Sequence, residues 1–339
     1  MPFWNFNSTL AHICVPTNST TKPPMFVSPQ TNSTTKQTAP LNYKNMKNFK
    51  IEDFKITGNK EYKIKKSSTK VKDFYETKED YESILTNLQS EMDELQSRMY
   101  AHNKYGVLAI FQAMDAAGKD GTMKTVFKGV HPLGLSFYSF KRPSETELNH
   151  DYMWRCYKEL PERGKLQVFN RSYYEEVLVV KVHPEILQNY QKIPNELKGR
   201  DVWKNRYMDI KNFEDYLSRN GIMVIKFFLN VSKEEQGNRL IERIEDINKN
   251  WKFEEGDIKE RALWNEYQDA YEEMINQTAT KNNPWYAIPA DDKKNMRLIV
   301  AKIMVENLKT LKMNYPEPDE ARKQTLVALI DTIKQQNLI

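Results

Sequence analysis

The stretch from Val107 to Lys124, VLAIFQAMDAAGKDGTMK, constrains this chain more than any other. Val107 to Phe111 run apolar without a break, the pattern of a strand covered on both faces. Ala116, Ala117, Gly118 and Gly121 keep the following loop small, so its backbone can approach a ligand closely. Lys119 follows, and a helix is expected from about Gly121 to Val130. Loop amides, a helix N-terminus and a lysine together make an anion site, and phosphate is the anion they suit. The standard phosphate loop, G-x-x-x-x-G-K-[ST], asks for Gly at position 113 and Ser or Thr at 120. The chain has Ala113 and Asp120 there, with Thr122 two residues late. On these residues alone, an ordinary strand-to-helix turn with an exposed lysine stays open.

The rest of the chain reads as the α/β setting such a loop needs. Further strands are expected at Leu135–Phe140, Leu166–Phe169 and Ile222–Leu229. Between Asp80 and His102, Tyr81, Leu85, Leu88, Met92, Leu95 and Met99 recur at three- and four-residue spacing, one apolar helix stripe made for packing. Ser144 with Glu147, and Ser232 with Glu235, are capping-box pairs. The first opens a helix carrying His150, Asp151, Trp154 and Arg155, where His150 is read as a structural hydrogen-bonding residue. Pro284 to Pro289 reads as a chain break, Asp291 or Asp292 as the cap of a helix to about Leu311, and Glu317–Leu338 as a last helix.

In an open α/β sheet the ligand lies beyond the carboxyl ends of the strands. Lys141 and Arg142 end one strand, and Asn170-Arg171-Ser172-Tyr173-Tyr174-Glu175 ends another. Many phosphate-loop enzymes carry an acid where Asn170 stands; here the nearest acids are Glu175 and Glu176, and Arg171 can neutralise a phosphate. Arg239 and Arg243 lie one helical turn apart, either a solvated face or a lid that clamps a transferring phosphoryl group.

Composition narrows the partners. The 339 residues carry 51 Lys and Arg against 46 Asp and Glu, a net +5 that suits a polyanionic ligand without implying nucleic acid. Six lysines fall between Lys60 and Lys72, among them Lys65 and Lys66, as a solvated segment or a rim attracting a long polyanion. Cys14 and Cys156 offer neither a disulfide framework nor a metal cluster, which suits a reducing cytoplasm. No run of 18 apolar residues exists, so no membrane span is expected. Residues 1–49 are expected to be a disordered Ser/Thr/Asn/Pro-rich extension, residues 50–312 the α/β body, with about 233–285 as its lid if the Arg239–Arg243 pair clamps phosphate, and residues 313–339 a helical extension.

Five blocks then occur in order: AMDAAGKDGTMK, FKRPSETELNHDYMWR, FNRSYYEEVLVVKVHPE, LNVSKEEQGNRLIERI and NWKFEEGDIKER. Together they resemble the polyphosphate kinase 2 family over roughly residues 50–310. The resemblance implies a phosphate-loop, kinase-like three-layer α/β/α sandwich with a mostly parallel sheet and a helical lid. It implies transfer of the terminal phosphate of polyphosphate to a nucleotide with Mg²⁺, or Mn²⁺ in its place. It also implies a homodimer or homotetramer.

By the same resemblance, Asp115, Lys119, Arg171 and Glu175 are catalytic, with Asp115 and Glu175 holding the metal. Ala117, Gly118, Asp120, Gly121, Thr122, Lys124, Asn170, Arg239 and Arg243 bind nucleotide or phosphate, and Lys141 and Arg155 line the polyphosphate path, which Lys65 and Lys66 of the lysine-rich segment would extend as its rim. Asn-Arg-Ser-Tyr-Tyr-Glu-Glu at 170–176 resembles the subgroup that accepts both AMP and ADP. Two rivals stand beside this reading: an ATP-dependent nucleoside monophosphate kinase, and a non-catalytic polyanion- or nucleic-acid-binding protein. The chain has no zinc finger, RNA-recognition or helix-turn-helix signature to favour nucleic acid.

Overall fold

The computed structural model describes residue 46 and residues 48–337. Strands β1 (Lys55–Ile56), β2 (Gly106–Gln112), β3 (Leu135–Ser139), β4 (Leu166–Asn170), β5 (Ile222–Asn230) and β6 (Trp285–Pro289) form one sheet in the order β1-β6-β5-β2-β4-β3. All pairs are parallel except β1 with β6. The helices are α1 (Lys78–His102), α2 (Lys119–Val126), α3 (Glu145–Leu148), α4 (Trp154–Tyr157), α5 (Val179–Val182), α6 (Pro184–Asn189), α7 (Val202–Arg219), α8 (Lys233–Glu245), α9 (Gly256–Ala262), α10 (Trp264–Thr278), α11 (Lys293–Lys309) and α12 (Glu320–Gln336). None of them is long and apolar enough to cross a membrane.

The unbroken apolar run of β2 has the expected consequence. All seven of its residues are buried, because β4 and β5 flank it and helices cover both faces. Each aliphatic or Phe side chain so buried contributes about 1.5–3 kcal/mol. One helical group joins α11 to α1 and α2; α7 packs on β5 and α10 on α7. The α1 stripe faces inward as its period requires, with Leu88, Met92 and Met99 fully buried. Thr77 caps that helix by accepting from Asp80 N at 3.1 Å, and Asn103 ends it in the left-handed region at φ 51°.

Several local expectations change. The 284–289 segment is not a break: Trp285–Pro289 is a strand buried throughout, paired with β5 from Lys226↔Trp285 to Asn230↔Pro289. A short apolar run buried on both faces has no alternation to reveal it, and a proline at its end masks it further. The helix expected over residues 144–155 divides into α3 and α4. His150 stacks on Trp154 at 3.9 Å, with Nδ1 2.8 Å from Thr146 O. The box at Ser144 is complete. That at Ser232 is half formed, because Glu235 turns to Arg239 and Asp291 accepts from Ser232 N instead, at 2.7 Å. Asp292 is the cap of α11.

The extension expected over residues 1–49 lies almost wholly outside the described residues. Of its last residues, Met46 is buried and Phe49 stacks on Phe54 at 5.6 Å, so the body begins before residue 50.

Candidate active site

The loop between β2 and α2 is built from two left-handed residues. Ala116 has φ 61° and Gly118, the cap of α2, has φ 101°. Ala113, standing where a phosphate loop usually has glycine, is not among the described residues with positive φ, so a Cβ is tolerated there. The conformational cost has moved to Ala116, at about 1–2 kcal/mol for an L-residue in that region. Lys119 Nζ turns back into the loop, donating to Ala113 O at 2.7 Å and Met114 O at 3.2 Å. Burial lowers its pKa to about 8, against the opposing pull of Asp115.

Register brings the second motif to this loop. Phe111 of β2 pairs with Asn170 of β4, and Arg171 N donates to Phe111 O at 3.0 Å. Arg171, at φ 64°, then reaches Asp115 Oδ1 at 2.7 Å and Glu175 Oε2 at 3.1 Å. Its guanidinium bridges two carboxylates from different motifs, and Glu175 first, then Asp115, raises its pKa despite burial. Burial pushes the Asp115 carboxyl up, but Lys119, Arg171 and Arg243 outweigh it and hold the group below the usual carboxylate range. Gln112, with its amide oriented to satisfy both ends, donates to Glu175 Oε1 at 2.9 Å and accepts from Ser172 N. Asn170 Nδ2 donates to Asp120 Oδ1 at 2.9 Å, while Asn170 Oδ1 is buried with no hydrogen-bond partner.

The two α8 arginines diverge. Arg243 stands 3.5 Å from Asp257 of α9, and its charge helps hold the Asp115 carboxyl down. Arg239 is buried under the loop. Its Nε donates to Glu235 at 2.7 Å, one terminal nitrogen to Ala116 O (3.3 Å) and Ala117 O (2.8 Å), and the other to Ala290 O (2.7 Å) and Asp291 O (2.9 Å). Each of its nitrogens is thus committed to the protein, and Arg239 buttresses the loop where the sequence suggested a free clamp for phosphate. In a trans peptide the N–H points opposite the preceding C=O. Pinning Ala117 O therefore aims Gly118 N–H away from Arg239.

Other expected site residues separate. Asp120, Gly121 and Lys124 are exposed on the first turns of α2, but Thr122 points into the core, its hydroxyl 3.6 Å from Met296 Sδ. The Thr122 hydroxyl therefore does not serve as the Ser/Thr of a standard phosphate loop. Arg155 donates to Lys141 O at 2.7 Å and pairs with Glu147 at 3.3 Å, so it holds the end of β3. Lys141 and Arg155 line a cavity of about 400 Å³ that also meets Arg171 and Glu175. Its walls include Phe140, Tyr152 and Tyr190, with Arg142 lying 5.5 Å from the Tyr190 ring centre. Lys65 and Lys66 stand exposed in a short turn tied to Glu272 of α10 through Ile64 N.

Three contributors escaped the sequence reading. Gln112 orients Glu175, and Gln236 of α8 donates to Asp115 O at 3.0 Å. Arg297 of α11 comes within 3.6 Å of the position a Gly121 side chain would take, and its Nε is buried without a partner. No local pattern marks any of them, since each acts across the fold.

Comparison with known proteins agrees with this geometry. The family described as polyphosphate kinase 2 matches residues 75–316. An ADP-polyphosphate phosphotransferase of Rhodopseudomonas palustris is 48% identical over 83% of the chain and 97% of its own length. An AMP/ADP-polyphosphate phosphotransferase of Meiothermus ruber is 43% identical over 72% of the chain and 86% of its own. Among solved structures, polyphosphate kinase 2 from Arthrobacter aurescens TC1 superimposes with a TM-score of 0.71 at 32% identity, covering 81% of this chain and 98% of that one.

Proposed function

The chain belongs to the polyphosphate kinase 2 family, and on that premise we propose that it moves the terminal phosphate of inorganic polyphosphate onto AMP and ADP, giving ADP and ATP by a reaction reversible in principle. The observation that carries this reading is the Asp115–Arg171–Glu175 chain at the mouth of the loop. Phosphoryl transfer asks little covalent chemistry of a protein; positioning and charge neutralisation do most of the work.

Lys119 and the amides at the start of α2 hold one set of phosphates, Lys119 leaving Ala113 O and Met114 O as phosphate enters. A terminal phosphate oxygen of the acceptor then attacks the end phosphorus of polyphosphate in line, and the shortened chain leaves. Arg171 and, from the lid, Arg243 neutralise the charge that spreads over the transferring group. The 400 Å³ cavity takes the acceptor's nucleoside: its tyrosine and phenylalanine rings offer faces to a base, and Arg142 and Lys141 offer charge to its phosphates.

Mg²⁺, or Mn²⁺ in its place, suits the donors present: the carboxylates of Asp115 and Glu175, and the partnerless Asn170 Oδ1. No group of three or more His, Cys, Asp or Glu side chains able to hold a metal occurs among the described residues, so substrate phosphates and water would complete the shell. Bound there, the ion would neutralise charge between donor and acceptor.

The relatives' names divide on the acceptor, ADP in one and AMP or ADP in the other, and the 170–176 motif favours both. We also propose a cytoplasmic homodimer or homotetramer. The exposed apolar residues of α12, Leu326, Leu329, Ile330 and Ile333, support assembly, and light scattering on the purified protein tests it.

The deciding experiment gives the purified protein Mg²⁺, long-chain polyphosphate and either AMP or ADP, and separates the nucleotides. ADP and ATP from AMP support the full reading. ATP from ADP alone restricts the acceptor, and product only with ATP as donor points to a nucleoside monophosphate kinase. Asp115→Asn and Lys119→Ala should abolish transfer while leaving the fold intact; turnover like wild type in either refutes their roles.

A further inference from the structure

Beneath the Arg171–Glu175 segment lies a buried cluster, of which Tyr173 also lines the 400 Å³ cavity. Tyr173 and Tyr174 hydroxyls both donate to Glu214 Oε1, at 2.9 and 2.7 Å. Lys226 Nζ, on β5, donates to Glu214 Oε2 at 2.6 Å, to Tyr174 OH at 3.2 Å and to Thr278 O at 3.0 Å. None of the four side chains is more than 1% exposed. A buried ion pair gives little net stability over an apolar substitute. The geometric result of this one is plain: two consecutive hydroxyls on the loop converge on a single oxygen.

That convergence bears directly on the site. Tyr173 and Tyr174 sit between Arg171 and Glu175, and Ser172 beside them is held by Gln112 and by Tyr174 N. With these three residues turned inward, the Arg171 and Glu175 side chains are left facing each other at 3.1 Å. Arg171 keeps its left-handed backbone only while its surroundings hold it. Lys226 extends the same anchor to Thr278, the last residue of α10, where the chain returns from the lid.

We infer that Tyr173 and Tyr174, tied to the Glu214–Lys226 pair, are positioning residues that set the spacing of Arg171 and Glu175. This rests on the proposed phosphotransfer for its kinetic consequence but not for its structural one. The test compares wild type with Tyr173→Phe/Tyr174→Phe, which removes two hydroxyls and keeps both rings, and with Glu214→Gln. Polyphosphate-dependent ATP formation from ADP is measured across Mg²⁺ concentration, with thermal melting and amide hydrogen exchange over residues 170–178.

The expected result for the double Phe variant is a kcat at least tenfold lower, a severalfold higher half-saturating Mg²⁺, and faster exchange confined to 170–178 in a protein still folded at the assay temperature. Glu214→Gln should move the same quantities the same way. A loss of activity that merely follows the folded fraction, with half-saturating Mg²⁺ unmoved, overturns the inference, because partial unfolding scales amplitude and not midpoint. Wild-type kcat and exchange in the double variant overturn it as well. If wild type itself fails to use polyphosphate, the proposed reaction falls, and exchange over 170–178 still decides whether the hydroxyls hold the loop.

Discussion

Replacing Arg239 by lysine separates a buttress from a catalytic clamp. The arginine satisfies Glu235 and four backbone carbonyls, at residues 116, 117, 290 and 291, from one planar fork. A lysine ammonium keeps the charge but presents three donors from one point, so it cannot serve all five acceptors. Two or more buried acceptors lose their partners, each at about 1–3 kcal/mol, and partial rescue leaves a net loss of roughly 2–4 kcal/mol. At about 2–4 °C per kcal/mol for large domains, melting should fall by about 5–15 °C. Activity should fall further than stability suggests. Once Ala117 O is released, the peptide that aims Gly118 N–H can rotate, and loss of one preorganised donor costs about 10²–10³ in rate. The assay is kcat/KM for polyphosphate well below the melting temperature, alongside a thermal melt. Wild-type kcat/KM with a wild-type melt refutes the reasoning. A wild-type melt with lost turnover refutes it differently, because Arg239 would then be touching phosphate.

The remaining expectations follow from the same site. Lys119, with its pKa near 8, should lose its charge as pH rises through that value, so kcat/KM falls above about pH 8; a flat profile to pH 9.5 counts against its role. The unfolded chain keeps that proton to about pH 10.4, so between about 8 and 10 the unfolded state binds more protons and this group's contribution to native stability rises with pH, readable in denaturant titrations. Gly118→Ala places a Cβ at φ 101°, 3.2 Å from Met296 Cε, and should cost about 1–2 kcal/mol in a urea melt while sharply reducing turnover. Lys226→Met leaves Glu214 buried without its cation and should destabilise by about 3–5 kcal/mol in a denaturant titration; a change under about 1 kcal/mol would refute this.

The sequence alone determined what repeats or caps locally. The burial of β2 over Val107–Phe111, the α1 stripe, the Gly118-Lys119 turn, the Ser144 cap and strands β3, β4 and β5 are written in spacing and residue type, and the structure realises them; between Asp291 and Asp292 the structure makes the second the cap. Spacing states which face is buried but not what a long side chain will meet there. Arg239 and Arg243 stand four residues apart on one helix, yet one is locked beneath the loop and the other pairs with Asp257 and acts on Asp115. Thr122 looked like a phosphate ligand and is a core residue; Pro289 looked like a break and ends a buried strand. The bond from Arg171 to Asp115 spans 56 residues, and that from Tyr174 to Glu214 spans 40. Such partners are chosen by sheet order and strand register, since only these bring the ends of β2, β4 and β5 together. The chemistry of the loop is therefore local, while the orientation of its charges belongs to the tertiary structure.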